Sequence, residues 1–194
     1  MTKGTAWVLG LLAVCMTLLG CSASRDSVGD GDGKGMDMQQ AADRADRMLD
    51  GTIGAIKPPV QWTHGPTTTG SCDLSRRRTV MTQISPNRRG ALLGVIDRFW
   101  RKTGYEITSV NSDAEFPGIY ARTVDGFQIS LSIGGEGQAF FEVATPCVDA
   151  SAVAESTVPP NGPAYTSGPI PRPNVQDDFW SSSEPLASSS PATP

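Results

Sequence analysis

From residue 127 to residue 133 every second side chain is apolar: Phe127, Ile129, Leu131 and Ile133 alternate with Gln128, Ser130 and Ser132. A period of two with one oily and one polar face belongs to a strand that covers a core on one side and meets water on the other. The residues around it extend the pattern. Asp125-Gly126 is a two-residue hairpin signal, and residues 119–124 supply the strand before it. Tyr105, Ile107 and Ser109 alternate with Glu106, Thr108 and Val110 as an earlier strand. Gly134-Gly135-Glu136-Gly137 turns the chain into a last strand over residues 139–145, and Cys147 follows. This is a β-meander.

Two helices are expected before it. Over residues 37–56, Met38, Ala41, Ala42, Ala45, Met48, Leu49, Ile53 and Ile56 recur at helical spacing. Asp37 suits the N-cap, Pro58-Pro59 ends the run, and Gly51 and Gly54 loosen its last turns. Over residues 86–103, Leu92, Val95, Ile96, Phe99 and Trp100 share a stripe. Ser85 and Pro86 suit its N-cap and first position, Gly104 its C-terminal stop, and Asp97 and Arg101 pair four apart outside. Between the helices, residues 60–63 form a short strand that buries Trp62. Residues 76–85 form a longer strand with Val80, Thr82 and Ile84 on one face.

The chain opens with Lys3 and an apolar run of fourteen residues from Ala6 to Leu19. As a helix that run is roughly 21 Å long, short of a ~30 Å hydrocarbon core. It reads as a signal peptide over residues 1–20. Leu18-Leu19-Gly20-Cys21 resembles the bacterial lipobox, with Leu19 larger than the usual small residue at that place. Cys21 is then the lipidated N-terminus of the mature protein. Residues 21–36 are a flexible Gly/Asp/Ser tether, about 20 Å in r.m.s. span.

Removal of residues 1–20 takes Cys15 with it, so Cys72 and Cys147 are the remaining thiols. Outside a bacterial membrane their simplest use is one disulfide closing ~76 residues, a stabilisation of roughly 4 kcal/mol by chain entropy. A metal pair or a redox couple is the alternative. Neither suits a chain with no CxxC and His64 as its one histidine.

Residues 148–194 hold nine of the fifteen prolines and nine serines, without sustained periodicity. The expectation is a disordered tail that adds nothing to the fold, with Phe179-Trp180 as its one apolar feature. Charge divides along the same line. Residues 21–147 carry 14 basic and 15 acidic side chains, whereas residues 148–194 carry five acids and one Arg. A near-neutral body with an acidic tail disfavours nucleic acid as a partner.

The expected fold class is α+β: a mostly antiparallel sheet of strand–helix–meander order, two helices on one face, one disulfide and a disordered tail. Residues 37–148 are the domain and residues 149–194 the tail. The lipobox, the polar tether, the first helix, Trp62 ahead of Cys72, the strand–helix–meander run, Cys147 at its end and the Pro/Ser-rich tail resemble small actinobacterial lipoproteins of the LppA type. That resemblance implies an extracytoplasmic, membrane-tethered location and a fold, and no chemistry.

No catalytic motif stands out, and no cofactor or metal site is implied. His64 is the obvious general-base candidate, but it sits in an expected loop without a nucleophile motif. Asp113 and Glu115 lie in a turn, Glu136 and Glu142 on different elements, and all four read as solvated charges. Asp30, Asp32 and Asp37 lack EF-hand spacing. Residues 74–104 do carry eight basic side chains (Arg76, Arg77, Arg78, Arg88, Arg89, Arg98, Arg101, Lys102) against Asp97. They read either as a face balanced by the acidic first helix, or as a patch for anionic lipid or envelope polymer centred on Arg88, Arg89, Arg98 and Arg101. Arg76, Arg77 and Arg78 cannot all share a strand face. The functional expectation is a non-enzymatic binding module of the cell envelope, partnered by lipid, polymer or protein. The alternative is a divergent envelope hydrolase.

Overall fold

The computed structural model describes residues 35–165 and 168–186. The signal run, Cys21 and most of the tether lie outside them. Helix α1 spans Met38–Gly54, α2 spans Pro86–Lys102, and seven strands form one antiparallel sheet. The strands are β1 (Trp62–His64), β2 (Thr68–Thr69), β3 (Leu74–Val80), β4 (Glu106–Asn111), β5 (Gly118–Arg122), β6 (Gln128–Ile133) and β7 (Ala139–Ala144). Their spatial order is β1-β3-β7-β6-β5-β4, with β2 also pairing with β3. The α+β class, both helices and the meander are as the periodicities imply.

Local chemistry explains the element ends. Asp37 caps α1 by accepting from the Gln40 backbone N–H at 2.8 Å, and the Gln40 side chain accepts from the Asp37 N–H at 3.0 Å. This is a reciprocal capping box in which Gln40 had given no separate signal. The α1 face toward the sheet is built from Ala41, Ala42, Ala45 and Leu49, all fully buried. The helix runs through Gly51 rather than loosening there. A Cβ at Gly51 would stand 3.7 Å from the Phe99 ring of α2, in ordinary van der Waals contact. Trp100 joins the helices again: its indole N–H donates to Thr52 Oγ1 at 3.1 Å. Gly104 follows α2 with φ +85°, the left-handed residue expected there.

The helices cover the face that carries Phe127, Ile129, Leu131 and Ile133, which are buried with Phe141 and Val143 of β7. Cys72 and Cys147 are bonded, with Cα atoms 4.8 Å apart, and tie the start of β3 to the end of its neighbour β7. Replacing both cysteines by Ser should lower the unfolding free energy by about 2–4 kcal/mol. The effect should appear as a lower denaturant midpoint, with a steeper slope because the unfolded chain loses its cross-link. A midpoint that does not move would mean that the β3–β7 ladder alone holds these ends.

Two expectations need correction. The strand at residues 76–85 begins earlier and stops at Val80, because its β7 partner ladder runs out at Thr79↔Phe140. Beyond it, Met81, Gln83, Ile84 and Ser85 donate their N–H groups to Gln61, Val175, Gly137 and Trp180. The other correction concerns the C-terminal segment. Its described part has no helix or extended strand, in line with its composition, but that part does add to the fold. Asp149 pairs with Met36 and Met38 beside α1. Asn161 caps Trp62 N–H and Val60 C=O. Trp180 is 1 % exposed, belongs to the core, and donates its indole N–H to Pro58 O at 2.7 Å. Single anchors and backbone pairs to irregular partners hold this strap, and neither leaves a periodic trace.

Candidate functional site

The period of two places Leu74, Arg76, Arg78 and Val80 of β3 toward the helices, and all four are buried. Arg78, fully buried, meets Asp46 of α1 at 2.9 Å and Asp50 at 3.3 Å. Arg76 meets Asp46 at 3.5 Å and bonds to Thr67 and to the Ala154 carbonyl. The Arg78 guanidinium also lies 4.7 Å from the Trp62 ring centroid. Balance by the acidic first helix therefore holds for these two arginines, but inside the molecule rather than on a solvated face.

His64 belongs to the same cluster. Its Nδ1 stands 2.8 Å from Arg78 Nη1, and its Nε2 stands 2.7 Å from the Val158 carbonyl. A guanidinium only donates, so Nδ1 accepts and Nε2 carries the proton that goes to Val158 O. Both ring nitrogens are engaged, and neither is left to act as a base. The sequence candidate for general-base work is thus a brace between β1, β3 and the C-terminal strap.

The basic patch is likewise divided. Arg88 is buried, donates to the Phe179 and Glu184 carbonyls, and lies 5.0 Å from the Phe179 ring centroid. It holds the strap and is not available at a surface, which corrects its assignment as a binding residue. Arg89 reaches the Glu115 carbonyl at 2.7 Å. Arg101 pairs with Asp97 at 2.9 Å, and Arg98 and Lys102 stand exposed. Among the carboxylates, Glu136 pairs with Arg172 and Glu142 with Arg77. Asp113 accepts from the Glu115 and Phe116 N–H groups, which hold its pKa below the ordinary carboxylate range and order the β4–β5 turn.

The open face of the sheet, away from the helices, carries the remaining possibilities. Register places Ser109, Tyr120, Ser130, Glu142 and Arg77 in one row from β4 to β3. A second row holds Gly118, Ser132, Phe140, Thr79 and Thr63, and a third holds Glu106, Arg122, Gln128, Ala144 and Ser75. Its charges close on themselves: Arg77 Nε meets Glu142 at 2.8 Å, and Arg122 Nε meets Glu106 at 2.9 Å. The bond to Glu106 raises the Arg122 pKa further. At the β3–β7 end a cleft of about 780 Å³ lies between this face and Tyr165, Gly168 and Ile170, with Pro66, Arg77, Thr79 and Phe140 also in its lining. A smaller groove of about 240 Å³ follows Glu142, Ser130, Gln128 and Tyr120 toward β4.

Tyr120 and Phe140 had drawn no attention as functional residues. The signal was available: Phe140 and Phe141 are adjacent in one strand, so one of them must point to the wet face. Both wet-face rings lean over glycines. A Cβ at Gly118 would stand 3.3 Å from Tyr120 Oη, and one at Gly134 would stand 2.9 Å from Phe140 Cε2. No protein-family model, curated protein or solved structure matches the chain.

Proposed function

We propose that the protein is a lipid-anchored module of the extracytoplasmic envelope, of the LppA-like kind its sequence resembles, and that it binds a ligand on the open face of its sheet without transforming it. The observation that carries this reading is that face itself. It is polar and grooved, and its two ion pairs are closed within the chain. A hydrolase would need a nucleophile, a base and an orienting acid within hydrogen-bond reach. His64 has both nitrogens committed elsewhere. The Cys72–Cys147 bridge supports an oxidising compartment. The run ending in Leu18-Leu19-Gly20-Cys21 supports the anchor.

Two experiments test the two halves. Cys21→Ala should abolish lipid attachment, so that the chain partitions to the aqueous phase of a detergent separation or persists as full-length precursor. Unchanged partitioning with an unchanged mature mass would sink the anchor. For the site, photo-crosslinking residues at Gln128 and Ser132 on the open face should capture ligand in cells, and one at Arg98 on α2 should not. Capture from Arg98 alone would move the site to the basic helix and a lipid or polymer partner there. Turnover of an envelope substrate by the purified chain would favour the hydrolase.

A further inference from the structure

Resting on the proposal that the open sheet face binds, we infer that its ligand is a linear, uncharged glycan chain. Three features of the face converge on this chemistry.

The first is the pair of rings. Tyr120 is 40 % exposed, and its hydroxyl end leans over Gly118. Phe140, half-buried in the cleft, fills the space above Gly134. With no side chain at the glycine to cover it, an exposed ring keeps a face open to a ligand. That face is electron-rich and attracts the partly positive C–H groups on one side of a sugar ring. From register, the two residues lie two strands and two positions apart, so their Cα atoms are separated by roughly 12 Å. One stiff chain can touch both.

The second is the side chains between the rings. Ser130, Ser132 and Gln128 lie on the wet face, and their side chains make no hydrogen bond among the described residues. Hydroxyl and amide groups both donate and accept, as sugar hydroxyls do. The third is charge. Arg77–Glu142 and Arg122–Glu106 leave the face with no net charge, so nothing there favours a polyanion over a neutral chain. Each paired carboxylate keeps an outward lone pair for a hydroxyl donor. A bound peptide would seek apolar pockets for alternate side chains or a bare strand edge. The groove beside Tyr120 offers Ser130, Gln128 and the paired Glu142 instead.

The test uses the mature chain in detergent. Linear gluco-, manno- and galacto-oligosaccharides are titrated, beside a polyuronate and an unstructured peptide mixture, with chemical shifts of Ser130 and Ser132 as the readout. At least one neutral oligosaccharide should bind, with an affinity that changes less than about twofold between low and physiological salt, since no screened charge is involved. Tyr120→Ala should weaken it tenfold or more, and Tyr120→Phe should retain most of it. Ser130→Arg, which fills the groove from a partly exposed position, should abolish it, with melting unchanged as the folding control. Binding of the polyuronate or the peptides alone overturns the inference, as does failure of every neutral oligosaccharide to bind. If cell crosslinks from Ser132 carry a protein instead of a glycan, the face still binds and only the glycan assignment falls. If Ser132 and Gln128 capture nothing in cells, the reading beneath it falls too.

Discussion

Trp180→Ala should lower the melting temperature of the mature chain by on the order of 10 °C, although the residue lies in a Pro/Ser-rich segment distant in sequence from any helix or strand. Its side chain is 1 % exposed and packs into the core shared by both helices and the sheet. Truncating a fully buried Trp costs about 3–5 kcal/mol through lost burial and the cavity left behind. For a body of this size each kcal/mol moves the midpoint by roughly 2–4 °C. The mutation also orphans the Pro58 carbonyl, which accepts the indole N–H at 2.7 Å. Truncation after Ala150 should cost more. It removes Trp180, the Asn161 caps on Trp62 and Val60, and the Val175 and Trp180 carbonyls that accept from Gln83 and Ser85. Asp178→Ala, at an exposed position, serves as the neutral control. A Trp180→Ala protein that melts with the wild type would show that the strap is not part of the cooperative unit.

The contrast between strap and meander explains what was legible in the sequence. β6 and α2 bury repeating positions, so Ile129, Leu131, Leu92 and Ile96 announce their faces through period. The 125–126 hairpin and the two remaining cysteines are equally local or arithmetical signals. The strap is held by one indole, one asparagine and scattered backbone bonds. A single Trp in a disordered composition carries no period, and backbone hydrogen bonds leave no composition at all. The buried arginine cluster is hidden for a related reason. The sequence offers Arg76 and Arg78 as part of a solvated face or a surface patch, yet Leu74 and Val80 lie on their strand face. The alternation that buries the first pair necessarily turns the second pair inward. Asp46 and Asp50, four apart on α1, were the matching partners, but only the packing of α1 on β3 identifies them.

That packing sets the other large expected effect, at Asp46. Its carboxylate, 6 % exposed, is shared by Arg78 at 2.9 Å and Arg76 at 3.5 Å. Asp50 supports Arg78 alone at 3.3 Å, and Glu155 reaches Arg76 from an exposed position at 3.9 Å. Without Asp46, two buried guanidinium groups would share a cluster that keeps Asp50 as its nearest carboxylate. Breaking a buried ion pair from one side costs about 3–5 kcal/mol, because a desolvated charge is left unopposed. Asp46→Ala should therefore destabilise the domain by that amount, far above the effect of Asp43→Ala one turn away on the exposed face. Replacing Asp46, Arg76 and Arg78 together by Leu, Met and Met should recover most of the loss, since the charges that remain, on Asp50 and Glu155, reach solvent. The damage should also have a place. Arg76 donates to the Ala154 carbonyl, Arg78 reaches Ser156 Oγ, and His64, which Arg78 orients, donates to Val158 O. Hydrogen exchange in Asp46→Ala should rise first at residues 154–158, below the denaturant concentration that unfolds the sheet. Urea titration and exchange mass spectrometry measure both quantities. A loss under about 1 kcal/mol with unchanged exchange would mean that water enters the cluster and solvates the freed arginines, and that the strap is held by its other contacts.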